Sequence, residues 1–248
     1  MDARMHLLTA VAGLALVSNV AMAAGEQPVL VPSPVEKVFV ALGFDDNDDV
    51  ELVLHGHFPN TCYKVGPISA AFDAATGLVE ISAQSYRYPG GCAQVIVNFT
   101  QTVKVGLLPR GTYDLKVNGE PGLATAPLVI TQALTNGPDD FLYAPVREAS
   151  LDQQSDGTYA VTIKGEYPYM FVGCMILTEV RTYMSPGNTL VVLPIAELIE
   201  DERCEAQQFT HSFAATRSIG ALTPGEYLVH VRVVEGVSLN RFFEIQPN

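Results

Sequence analysis

Gly106-Leu107-Leu108-Pro109-Arg110-Gly111-Thr112-Tyr113-Asp114-Leu115-Lys116-Val117 returns 114 residues later as Gly220-Ala221-Leu222-Thr223-Pro224-Gly225-Glu226-Tyr227-Leu228-Val229-His230-Val231. Each copy reads as a Pro/Gly turn that releases into a strand, with Tyr, Leu or Val, and Val at alternate positions. The offset is about the length of one domain, so the chain divides into two halves built alike.

Matches spread outward from this stretch. Pro34-Val35 opens the first copy and Pro145-Val146 the second. Leu52, Leu54, Gly56 and Phe58 line up with Val161, Ile163, Gly165 and Tyr167, and the period of two predicts that both sets face a core. The alternate residues of the first copy, including His55 and His57, are then assigned to a solvated strand face, and so is His230. Leu78-Val79-Glu80-Ile81 pairs with Leu190-Val191-Val192-Leu193, Phe99 with Phe213, and Leu128-Val129-Ile130 with Phe242-Phe243-Glu244-Ile245. Only Ile195 to Glu202 reads as a brief helix. The expected fold is all-β, with two tandem antiparallel β-sandwich domains that each fold on their own strand set. The expected boundaries are a cleaved signal peptide over 1–23, a flexible tether over 24–34, repeat 1 over 35–131, a linker over 132–144 and repeat 2 over 145–248.

The four cysteines repeat nearly the same offset. Cys62 and Cys92 lie 30 residues apart, as do Cys174 and Cys204, and the two pairs are displaced by 112. The duplication selects Cys62–Cys92 and Cys174–Cys204 from the three possible pairings, one bridge in each domain. Bridges need an oxidising compartment, and the N-terminus reads as the address for one. Arg4 precedes an apolar run from Leu7 to Val17, and Ala21-Met22-Ala23 has the small-x-small form of a cleavage site. The expected location is therefore exported, periplasmic or secreted. No later stretch has 18 consecutive apolar residues, so no membrane span is expected.

The strand spacing and the Pro-Gly-x-Tyr turn resemble the immunoglobulin-like or fibronectin-like β-sandwich repeats of exported bacterial proteins. The resemblance covers both repeats and implies the fold alone. The chain departs from true immunoglobulin domains in having no Trp, and its cysteine spacing is about half that of their inter-sheet bridge.

The net charge is −13. Removing residues 1–23 takes away one base and one acid, Arg4 and Asp2, and leaves that charge unchanged. An acidic chain lacks the cationic footprint of nucleic-acid or anionic-membrane binding. No Gly-x-Ser-x-Gly elbow, His-Glu-x-x-His, phosphate loop or dinucleotide fingerprint occurs, so neither an enzyme nor a cofactor is expected.

Two kinds of residue remain as candidates for binding. Tyr86, Arg87 and Tyr88 precede Cys92, and Tyr167, Tyr169, Met170 and Phe171 precede Cys174. Tyr and Arg anchor interfaces, and a disulfide at the base of a loop limits the entropy lost on docking. The metal-ligand candidates are Asp45, Asp46, Asp48 and Asp49 in one acidic turn, and His55 with His57, which point the same way along a strand. The leading expectation is a non-enzymatic protein acting through a protein or cell-surface partner. The alternatives are a secreted protease inhibitor presenting a braced loop and a calcium- or zinc-binding surface module.

Overall fold

The computed structural model of the chain describes residues 27–137, 139–168, 174–199 and 211–247. The signal-peptide assignment, Tyr169, Met170, Phe171 and Cys204 lie outside the described residues. The first half contains β1 (Val29–Pro32), β2 (Val35–Phe39), β3 (Phe44–Asp45), β4 (Val50–Phe58), β5 (Tyr63–Asp73), β6 (Leu78–Arg87), β7 (Val97–Gly106), β8 (Gly111–Val117), β9 (Glu120–Pro121) and β10 (Leu128–Thr131). The second contains β11 (Val146–Gln153), β12 (Tyr159–Glu166), β13 (Met175–Ser185), β14 (Thr189–Leu198), β15 (Ser212–Gly220), β16 (Gly225–Val233) and β17 (Val237–Ile245). The protein is all-β, and no helix among the described residues is long and apolar enough to cross a membrane.

The two halves share one wiring. A three-stranded sheet, β2-β4-β7 or β11-β12-β15, faces a second sheet that contains the run β6-β8-β10 or β14-β16-β17. Pairing is mostly antiparallel, but β6 with β8, β14 with β16, and β3 with β10 run parallel. The repeated stretch forms β8 and β16 and the turns before them. Tyr113 donates its hydroxyl proton to the carbonyl of Pro109, and Tyr227 donates to that of Thr223 at 2.9 Å. Each tyrosine therefore staples its own turn from within, much as the tyrosine corner does in immunoglobulin-like sandwiches.

A second matched position explains itself by space. A Cβ on Gly56 would lie 2.2 Å from the Pro34 carbonyl oxygen, and one on Gly165 would lie 2.4 Å from that of Pro145. The rings of Phe99 and Phe213 close the other side of these glycines. The repeated Pro, Gly and Phe are thus one packing unit, in which the opening strand crosses too close to its neighbour for any side chain.

The alternation on β4 and β12 places Leu52, Leu54, Val161 and Ile163 in the two cores, as expected. Its other consequence fails. Val53, Glu51 and His55 are buried as well, because the outer face of β2 and β4 packs against the outer face of β16 and β17. Phe39 and Val53 meet Leu228 and Phe242 there, while Val191 of β14 joins the first core. Either half alone would expose this apolar surface to water.

Two local expectations are also corrected. Val29 to Pro32 of the tether forms β1 on the edge of β6, and Ser33 beside it is buried with its hydroxyl 2.5 Å from that of Ser85. Ile195 to Leu198 is strand, since Ile195 and Ala196 are buried and pair with β13. The segment between the halves is packed: Tyr143 and Ala144 are buried, and Ala144 donates its N–H to Pro194.

Candidate functional site

Three places bring functional groups together: the ion-pair network between the sandwiches, a histidine pair on β4, and the disulfide-braced end of the first sandwich. The network centres on Arg232 of β16, which points across the interface with its side chain 8% exposed. It donates to Asp48 Oδ2 at 2.9 Å and to the Gly43 carbonyl at 2.7 Å, lies 3.6 Å from Asp139, and stacks over the Phe44 ring. Asp48 also accepts the Asp45 N–H, and Asp45 accepts that of Asn47. The acidic turn is therefore an Arg-binding turn. Asp46 and Asp49 are exposed, and Asp46 accepts the N–H of Ala133. Among the described residues these acids do not converge as a ligand set.

His230 lies beside this network. The strand pattern assigned it to the surface, but its strand's outer face is covered and it is 1% exposed. Its Nδ1–H donates to Asn240 Oδ1 at 2.8 Å, and Asn240 in turn donates to Glu51 and Thr102. Burial, reinforced by the positive charge of Arg232, pushes the imidazole down to about 4. A folded-state value below the unfolded one means that stability is present above about pH 6.5 and is lost as pH falls toward 4. Nearby Asp139, raised to about 6 by burial, acts in the opposite direction, while Glu51 is raised too. The His230 contribution is isolated by comparison with His230→Asn, which stays neutral. The stability advantage of the native chain over this variant is expected to shrink by roughly 2 kcal/mol between pH 7 and pH 5, as read from urea midpoints. An advantage that does not change with pH would show that His230 is not held neutral by the fold.

His55 and His57 project from β4 toward the second sandwich. His55 is 1% exposed and stacks on Phe242 with ring centroids 3.9 Å apart. Its Nδ1 lies 3.3 Å from Thr100 Oγ1, and its Nε2 has no hydrogen-bond partner, with Glu226 Oε1 3.7 Å away. Burial holds this imidazole below its ordinary value, an effect that Glu226 offsets only in part. His57 donates Nδ1–H to Glu36 Oε2 at 3.0 Å. Glu226 of β16 also receives the Lys37 ammonium, at 2.5 Å. Burial would raise its carboxyl, but Lys37 and the two imidazoles outweigh that and hold it below the usual range. Sequence reasoning found the two histidines and missed Glu226, although it lies inside the repeated stretch. No local spacing relates it to residues about 170 positions earlier.

The third place is closed by Cys62 and Cys92, which are bridged as expected. Cys174 is disulfide-bonded as well. The segment after β6 runs back along the start of β5, with the Tyr88 N–H donating to the Cys62 carbonyl and the Thr61 N–H to that of Ala93. Tyr88 is 40% exposed and lies beneath the Lys64 ammonium, Arg87 is exposed, and Tyr86 is half-buried. Val95 and Ile96 are exposed on the same segment, Ile96 at 73%. Val29 and Leu30 of β1 flank Arg87 and Tyr86 from one side, and Lys64 and Val65 of β5 flank this end of β6 from the other. Tyr167 behaves differently. It packs on Phe213 and accepts the Leu177 N–H at its hydroxyl, so it belongs to the second sandwich's interior.

The family model of the ORF11 beta-sandwich domain matches residues 52–125. The match runs from β4 to the loop before β10 and takes in the Cys62–Cys92 bridge and the first copy of the repeated turn, in agreement with the sandwich fold. No curated protein and no solved structure matches the chain.

Proposed function

We propose that this chain is an exported, non-enzymatic binding protein that holds a protein or cell-surface partner at the Cys62–Cys92-braced end of its first sandwich. The observation that carries the reading is the exposed apolar group on that end: Tyr88, Val95 and Ile96 on the braced segment, with Leu30 on the neighbouring edge strand. Side chains of this size lying together on a surface favour association, and the bridge holds the segment so that little order is lost on docking. The disulfide and the Ala21-Met22-Ala23 pattern support an oxidising, extracytoplasmic location.

Tyr88→Ala and Ile96→Asp are expected to weaken partner capture by roughly 30-fold each, as for a desolvated anchor of about 2 kcal/mol. Leu134→Asp, at an 82% exposed position on the segment between the halves, is the control and should bind as the native chain does. The measurement is quantitative cross-linking of the exported chain to the envelope fraction of its source, followed by binding isotherms on the captured protein. Equal capture by all three variants would remove this end as the contact surface. A captured protease whose activity falls on binding would convert the reading into that of an inhibitor.

A further inference from the structure

The histidine pair and Glu226 form a constellation that the binding surface does not use. One ligand atom from each of His55, His57 and Glu226 lies within 4.8 Å of the other two. A tetrahedral zinc ion holds its ligand atoms roughly 3.3 Å apart, so small side-chain shifts bring the three to bonding distance. The His55 Nε2 to Glu226 Oε1 separation, 3.7 Å, is already close to that value.

Two features of the geometry suit an ion between these groups. The first is the orphaned Nε2 of His55: it is buried, has no hydrogen-bond partner, and points at a carboxylate oxygen from the other sandwich. An unpaired polar atom in such a place is unfavourable unless something fills the gap. The second is the outer ring of partners. His57 Nδ1 is held by Glu36, His55 Nδ1 lies against Thr100, and the far oxygen of Glu226 is held by Lys37. His57 Nε2 and Glu226 Oε1 are thereby left with free lone pairs, and so is His55 Nε2 in the tautomer whose Nδ1–H donates to Thr100. Zinc-binding histidines are oriented in this way by a carboxylate or hydroxyl on the other ring nitrogen. The stack of His55 on Phe242 fixes its ring plane as well.

The geometry points to a zinc site formed by His55, His57 and Glu226, with water as the fourth ligand, that clamps the second sandwich to the first. Two imidazoles and a carboxylate suit Zn²⁺ and leave a magnesium- or calcium-type oxygen cage unformed. Because β4 supplies the imidazoles and β16 the carboxylate, the ion joins the halves and stabilises their packing by preferential binding to the assembled form. The site does not depend on the partner-binding reading and stands or falls separately from it.

Zinc itself is the probe, added to the exported chain without affinity-tag histidines. The native chain is expected to retain about one zinc per molecule after dialysis and to unfold at a higher temperature with the ion than without it. Cobalt in place of zinc should give the intense visible absorption of a four-coordinate site. His57→Asn, at a partly exposed position that does not threaten the fold, and Glu226→Gln should each abolish retention and the thermal shift. Glu36→Gln should weaken binding by roughly 10- to 100-fold, as for other partners of ligating histidines, and the exposed-site change His211→Asn should do nothing. Loss of zinc from the native chain on dialysis overturns the site. Retention that survives Glu226→Gln overturns the clamp, even if His57→Asn abolishes it.

Discussion

Arg232→Met is expected to lower the stability of the chain by about 3–5 kcal/mol, equivalent to a fall of about 10 °C in Tm for a protein of this size. The cause lies in what is left behind. Asp48 is 3% exposed, and without the guanidinium its charge stays buried with the Asp45 N–H as its hydrogen-bond donor among the described residues. The Gly43 carbonyl loses its donor in the same step. A second change, Asp48→Asn, removes the stranded charge and keeps an oxygen to accept the Asp45 N–H. The double variant should therefore recover a large part of the loss, although the native ion pair is absent from it. This non-additivity is the decisive result. If the two losses simply add, the pair is a solvated surface contact and the sandwiches are not locked through it. Urea unfolding followed by near- and far-ultraviolet circular dichroism measures all four members of the cycle.

The next largest effect is expected at the bridge. Replacing Cys62 and Cys92 together with Ala removes a crosslink between residues separated by 30 positions and should destabilise the chain by about 3–4 kcal/mol through the larger entropy of the opened, unfolded chain. The double replacement avoids a lone thiol. It also frees the segment carrying Tyr88, Val95 and Ile96, so partner affinity should fall even at temperatures where the sandwich remains folded. An unchanged urea midpoint would mean that the native bridge adds nothing to the hydrogen bonds at Thr61, Tyr88 and Ala93. A lowered midpoint with unchanged partner affinity would place the contact surface elsewhere.

Much of the architecture is determined by the sequence itself. Duplication is a relation within the sequence, so the repeated turn, the two strand sets and the Cys62–Cys92 pairing are visible in it directly. The inward positions follow for the same reason: a period of two says which residues share a side, and Leu52, Leu54, Val161 and Ile163 are all buried on the side it selects. Alternation does not say whether the opposite side meets water. On β4 and β16 that side meets the other sandwich, so His55 and His230 pass from an assumed surface to the interior, and Arg232 is buried there with them. The acidic turn was legible as a cluster of charge, but its partner is 184 residues away. Likewise Glu226 reads as one more residue of a repeated strand until β16 is laid on β4 beside His55. Local pattern is set by the short-range geometry of the backbone, whereas these encounters depend on which face of one finished sandwich covers which face of the other. Only the tertiary structure decides that, because it is the burial of Phe39, Val53, Leu228 and Phe242 against one another that brings the charged groups into register.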